Sequence, residues 1–270
     1  MKLRIALFCL MGGLCFCITA FGNGHFWWSY LAGVVLTAAL MPVVRFGARN
    51  FAAQAASISL ALIVVGLVCT MSEAVVFYPE TKKTLANSLI GGTVMYCLAT
   101  TALLALARLL RLVDPSEFHI EHRALAWAIP MIVLSGLSYV VYYLVFGGIA
   151  FQFFTKQYYP HAAEQVAAFG NWFWAYQLGR GVLMVLGTLP LIYTLRLPRW
   201  KAALAIGVLI WLGGGGAFLL VPNGIMSTAQ RYMHIVEIMT QNVSLGVSAV
   251  LLLRPRQRTL RVPVHSATAA

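Results

Sequence analysis

Residues 53–72 read AQAASISLALIVVGLVCTMS, twenty consecutive positions without a Lys, Arg, Asp or Glu. A helix rises 1.5 Å per residue, so about 20 such residues cross a hydrocarbon core about 30 Å thick. That core offers the backbone no water, which leaves helices and closed barrels as the spanning structures. Barrel strands alternate apolar and polar residues over about ten positions, whereas this run is apolar almost throughout. The stretch reads as a transmembrane helix.

Working outward, seven more runs of the same kind appear, giving spans at about 5–21, 27–44, 53–72, 87–107, 125–147, 172–193, 203–221 and 232–253. Six carry no charged residue; the sixth holds Arg180 and the eighth holds Glu237. Composition agrees. Of 270 residues, 61% are apolar and 10% charged, against roughly a quarter charged in soluble domains, and the mean hydropathy is +0.83. A disordered chain is excluded and a soluble enzyme is disfavoured. The expected fold is an all-α integral membrane protein, with eight transmembrane helices in one bundle (residues 1–253) and a basic tail (254–270). Most links are short turns such as Gly22-Asn23-Gly24. The two longer ones, Ser72 to Asn87 and Gln152 to Gly170, read as loops too small for a second domain.

The net charge of +12 is explained by where the basic residues fall. With the N-terminus inside and eight alternating spans, fourteen Lys and Arg lie in cytoplasmic segments, among them Arg45, Arg49, Arg108, Arg196, Arg199 and Arg254. Only Lys82, Lys83 and Lys156 lie in outer loops. This asymmetry predicts both termini in the cytoplasm of a bacterial-type inner (plasma) membrane. It also disposes of nucleic acid as a partner, because no basic groove interleaved with stacking aromatics is left over. Met1-Lys2-Leu3-Arg4 before an apolar run resembles a signal peptide, with Ala20-Phe21-Gly22 as its cleavage site; the length of the run favours retention. Cys9, Cys15, Cys17, Cys69 and Cys97 fall within spans, without metal or disulfide spacing, and read as small apolar residues.

The ionisable groups without a topological reason point to function. On the last helix, Ser227, Gln230, Arg231, His234, Glu237, Gln241 and Ser248 fall in one arc of roughly 120°. A charged group in hydrocarbon costs about 2.5–3.5 kcal/mol even on insertion scales. This face is therefore expected to look into the bundle or a hydrated cavity. Glu237 lies about 9 Å deeper than Arg231, and Arg180 about 13 Å inside the sixth span, so Arg180 and Glu237 are expected to pair. Glu73, at the outer end of the third span, places a carboxylate near the mouth.

Glu73, Arg180, Arg231, His234, Glu237 and Gln241 are thus the candidates for ligand or proton handling. No cofactor is predicted, although Glu73, His234 and Glu237 are weak candidates for a metal, since His and carboxylates suit zinc or iron. Ser135, Ser138, Tyr139, Tyr142 and Tyr143 share one face of the fifth span, which either lines a cavity or, as is commoner, forms an interfacial aromatic belt with helix–helix hydrogen bonds. Gly213-Gly214-Gly215-Gly216 permits close backbone approach or a local break. Phe118-His119-Ile120-Glu121-His122 reads as a solvated loop. No phosphate-binding loop, zincin pattern or Gly-x-Ser-x-Gly is present, and the single aspartate, Asp114, excludes an aspartyl dyad within the chain.

Three functions fit. The first is a small transporter or ligand-binding membrane protein whose polar pocket opens outward, with Glu73 at the mouth and His234 and Glu237 taking protons or a cationic group. The second is a membrane-embedded enzyme on a lipid-type substrate with a His/Glu acid–base or metal site. The third is an assembly or accessory subunit whose polar stripe binds a partner membrane helix. Beyond the lipid bilayer, the partner is an unknown small molecule or ion.

Overall fold

The computed structural model describes residues 1–17, 24–114, 124–158, 162–224 and 226–255, and all regular elements among them are helical. In chain order these are α1 (Lys2–Cys17), α2 (Phe26–Phe46), α3 (Phe51–Phe77) and α4 (Leu85–Leu109). They continue with α5 (Ala126–Tyr158), α6 (Ala162–Phe169), α7 (Trp172–Thr194), α8 (Arg199–Trp211) and α9 (Thr228–Leu253). Asn50 opens α3 by accepting a hydrogen bond from the Ala53 N–H at 3.0 Å, and Ser227 opens α9 by accepting from Gln230. Each cap satisfies an N–H that the first turn leaves without a partner.

Among the described residues six helices are long and apolar enough to cross a membrane: α2, α3, α5, α7, α9 and the segment Glu80–Leu109 that contains α4. The other two expected spans fall short among the described residues for different reasons. In α1 sixteen residues are described, and residues 18–23, with the signal-peptide cleavage site and most of the first turn, lie outside the described residues. In the seventh span, α8 runs only to Trp211 before a wide π-type turn, Leu212–Gly216, breaks the helix at Gly214 and Gly215. Gly215 has φ +116°, a conformation that side chains with a Cβ rarely adopt. The glycine run thus makes both a break and a close approach, because a Cβ on Gly66 of α3 would lie 2.3 Å from the Gly213 carbonyl oxygen.

Two expected loops are helical instead. The third helix continues five residues past Ser72 to Phe77, followed by a 3₁₀ turn at Pro79–Thr84. The fifth continues to Tyr158, and α6 occupies part of the remaining link. The His119–His122 segment, His161 and the tail from Arg256 onward lie outside the described residues.

Hydrogen bonds fix the relative direction of the helices. The Arg196 N–H donates to Phe46 O at 2.7 Å, and Asp114 N–H to Arg45 O at 2.9 Å. These bonds bring the C-terminal ends of α2, α4 and α7 together. The Arg254 guanidinium donates to Leu195 O at 3.2 Å, which adds the end of α9, and Arg45 reaches the Met1 sulfur at 3.3 Å. Arg108 donates to Arg49 O, Arg196 to Gly47 O and Asp114 O, and Arg199 to Leu251 O. One end of the bundle is therefore laced by arginines that cap carbonyls left open at helix ends. Burial, and then the charge of Arg199, hold the Arg254 guanidinium below the usual arginine range.

Tryptophans mark both ends. Trp27 and Trp172 are exposed at the starts of α2 and α7, opposite the arginine end, while Trp127 and Trp200 are exposed at the starts of α5 and α8 beside it. Amphipathic indole rings favour the headgroup level. Between these belts Ile90, Val94 and Leu98 of α4 lie bare on the outer surface, as expected of a face that meets lipid. Inside, helices close on glycine: a Cβ on Gly33 would lie 2.5 Å from Gly13 O, one on Gly181 2.9 Å from Gly136 O, and one on Gly246 2.5 Å from Gly207 Cα. Small residues let backbones approach where no hydrophobic force between helices operates.

Gly66→Val is expected to lower stability by about 1–3 kcal/mol through forced separation of α3 from the broken end of α8. Thermal unfolding in detergent checks this, with Gly91→Val, whose Cβ would meet nothing within 4 Å, as the neutral comparison.

Candidate functional site

Three helices depart from regular α geometry, and all three departures border one cavity. α3 is π-helical over Leu62–Cys69, α5 has π-type turns at Tyr143–Gly147 and Phe151–Thr155, and α8 ends in the turn at Leu212–Gly216. The cavity of about 610 Å³ is lined by residues in or directly after each of them, including Thr70, Glu73, Tyr143, Gly147, Thr155, Gly214 and Gly215. Its remaining walls come from α6, the start of α7 and the first half of α9. Tyr78, Asn223 and Met226 of the connecting segments also line it, placing it in the half of the bundle away from the arginine-laced end. π-type turns widen the helix and are frequent at functional sites; here they make room. Gly147 does so directly, since a Cβ there would sit 3.0 Å from Gln241 Nε2 and 3.5 Å from Glu237 Oε1.

Glu73 does not stand alone at a mouth. Because α3 continues to Phe77, Glu73 lies one turn inside the helix, where Arg180 of α7 grips it in a two-pronged ion pair. Arg180 Nη1 donates to Glu73 Oε1 at 2.6 Å and Nη2 to Oε2 at 2.5 Å. The expected pairing of Arg180 with Glu237 is therefore corrected: the partner is Glu73. Arg180 is 5% exposed and Glu73 16%, so the guanidinium forms the buried side of the pair while the carboxylate borders the cavity. The Arg180 guanidinium carbon lies 5.7 Å from the centroid of the Tyr139 ring, and Gln177 Oε1 accepts from Nη1 at 3.4 Å. A second α3–α7 bond joins Ser72 Oγ and the Tyr176 hydroxyl at 2.9 Å.

The polar stripe of α9 faces inward as expected, but its members divide. His234 Nδ1 lies 3.2 Å from Glu237 Oε2, Gln241 Nε2 donates to Glu237 Oε1 at 3.5 Å, and all three line the cavity. Arg231 does not: it donates to Leu219 O, Leu220 O and Thr228 Oγ1 and closes the chain just after the α8 break. Gln230 donates to the Tyr78 hydroxyl at 3.2 Å, and Ser248 pairs with the Tyr142 hydroxyl at 2.6 Å. His234 lies within electrostatic reach of Glu73 and Arg180 as well as Glu237, so the two ion-pairing sets share one site.

The tyrosine face of the fifth helix is not an interfacial belt. Tyr139 is buried against Arg180, Tyr142 bonds across to α9, and only Tyr143 reaches the cavity. Ser135 and Ser138 bond carbonyls of their own helix. Sequence reasoning missed the aromatic wall in which Phe77, Tyr143 and Trp174 all flank Phe173, with ring centroids 6.5, 5.9 and 5.2 Å away. Its signal was the cluster Trp172-Phe173-Trp174 at the start of the sixth span. Among the described residues no three His, Cys, Asp or Glu side chains are grouped to hold a metal. The five cysteines are free thiols, with Cys17 and Cys69 buried and Cys97 exposed.

Compared with family models, curated proteins and solved structures, the chain matches none.

Breaking the buried pair from either side strands a charge, a loss of about 3–5 kcal/mol. Glu73→Ala and Arg180→Ala are each expected to lower the unfolding temperature strongly, while Glu73→Met combined with Arg180→Met recovers much of it. Glu237→Gln, which keeps shape and hydrogen bonding, is expected to change stability little. Thermal unfolding of the detergent-solubilised variants distinguishes the two sites.

Proposed function

We propose that the protein is a multi-pass plasma-membrane protein of the bacterial inner-membrane type, with eight spans and both termini in the cytoplasm, that binds a small molecule entering from outside. The observation that supports this reading best is the convergence of the three widened helices on one cavity that contains His234, Glu237 and Gln241. Ligand sites are commonly concave, mostly apolar and about 300–1,000 Å³, with a few converging polar groups, and irregular backbone at membrane depth is tolerated where it lines a cavity. The arginine-laced end fits a cytoplasmic face, which would direct the cavity outward. A small transporter or a ligand-binding membrane protein would use such a site. In either role Glu73 and Arg180 form its fixed, charge-balanced wall, and His234 with Glu237 forms the part that exchanges a proton or meets the ligand.

The contact between His234 Nδ1 and Glu237 Oε2 also favours a second reading, acid–base catalysis on a lipid-type substrate. It would require the bound molecule to be consumed rather than released.

Ala74 lines the cavity. In intact cells Ala74→Cys is expected to react with a membrane-impermeant maleimide, and adding Gly148→Phe, at a cavity-lining glycine whose Cβ would meet nothing within 4 Å, should slow labelling at least fivefold. The parent chain supplies the background from its own thiols. Labelling confined to inside-out vesicles would overturn the outward orientation, and none from either side would overturn the open cavity.

A further inference from the structure

The lining of the cavity carries an uneven charge. Among the described residues its lining includes two carboxylates, Glu73 and Glu237, and no lysine or arginine; His234 is the only basic side chain. Arg180 holds both oxygens of Glu73 from behind and neutralises it. Arg231, the next cation on α9, turns away to the carbonyls of Leu219 and Leu220. Glu237 is left with His234 on one oxygen and a long 3.5 Å contact from Gln241 on the other. Its Oε1 also lies beside Gly147, where the missing side chain leaves the carboxylate open.

Aromatic rings line the same cavity. Tyr143, one turn before Gly147, lies within electrostatic reach of both Glu73 and Glu237, and continues into Phe173 and Trp174. The faces of such rings carry partial negative charge and attract cations. Among the described lining residues an anion would meet carboxylates and ring faces with no lysine or arginine to receive it. A small ammonium alone would leave most of about 610 Å³ unfilled.

We propose, building on the ligand-site reading above, that the occupant is a hydrophobic organic cation: an amine or quaternary ammonium with an apolar body, its charge against Glu237 and its body against the wall formed by Tyr143, Phe173 and Trp174. The bound cation supplies beside Glu237 the positive charge that His234 supplies only when protonated. The ring wall takes up the apolar body and the flank of the cation together.

The test compares three probes of similar shape on the full-length protein in a non-ionic detergent, by tryptophan fluorescence corrected for empty micelles: benzyltrimethylammonium, its uncharged isostere neopentylbenzene, and anionic phenylmethanesulfonate. Saturable binding of the cation at least tenfold tighter than either other probe is expected, blocked by Gly148→Phe and weakened at least tenfold by Glu237→Gln. Equal or tighter binding of the neutral or anionic probe, blocked by Gly148→Phe, overturns the cation assignment and leaves the ligand site standing. If no probe binds, or if Gly148→Phe changes nothing, both fall. The comparison of probes on the parent protein decides the charge preference even where Glu237→Gln does not fold.

Discussion

A guanidinium buried at membrane depth needs a partner, and the bond between Arg180 and Glu73 supplies it across the bundle. Bidentate geometry matters here because it occupies both carboxylate oxygens and both terminal nitrogens, leaving little charge unmatched. The pair joins α3 to α7, and the neighbouring Ser72–Tyr176 bond and the Tyr139 ring over the guanidinium stiffen the same junction. Since the pair fixes the rotation of both helices, it also decides which residues of α3 and α7 border the cavity: Thr70, Glu73, Ala74 and Phe77 from one, Phe173 and Trp174 from the other.

The second constraint is the backbone's need for internal hydrogen bonds where there is no water. A cavity inside a helical bundle requires helices to stand apart without opening that backbone. π-type turns meet both conditions, since each residue still donates within its own helix while the turn widens. The glycine break in α8 is the exception, and its consequences are local. Arg231 bonds the carbonyls of Leu219 and Leu220 beyond the break, while Trp211 Nε1 donates to Ile235 O across to α9.

The parts of this architecture legible in the sequence are those that depend on local pattern. Hydrophobic runs of span length give the long helices, and the arc on α9 was readable because α9 is regular from Thr228 to Leu253. The identity of the partner of Arg180 was not readable. Depth alone pointed to Glu237 and left Glu73 at the mouth, whereas the partner is set by helix rotation as well. The π-helical segment Leu62–Cys69 adds residues per turn and so shifts the facing direction of Glu73 away from a simple 100° count along α3. The extension of α3 to Phe77 was hidden by the polar residues that follow Cys69, which resemble a span's end but are absorbed by the site.

The division of labour between the two acidic residues follows from these constraints. Glu73 is fixed: an arginine holds both of its oxygens, so the pair is part of the framework. Glu237 is held by a histidine, whose charge is conditional, and by a glutamine at the limit of hydrogen-bond distance. One carboxylate is therefore committed to holding helices together, and the other is held by longer contacts within its own helix. In a bilayer an unmatched carboxylate is costly, and of the two acidic residues Glu237, with a histidine and a distant glutamine for partners, is the less firmly matched.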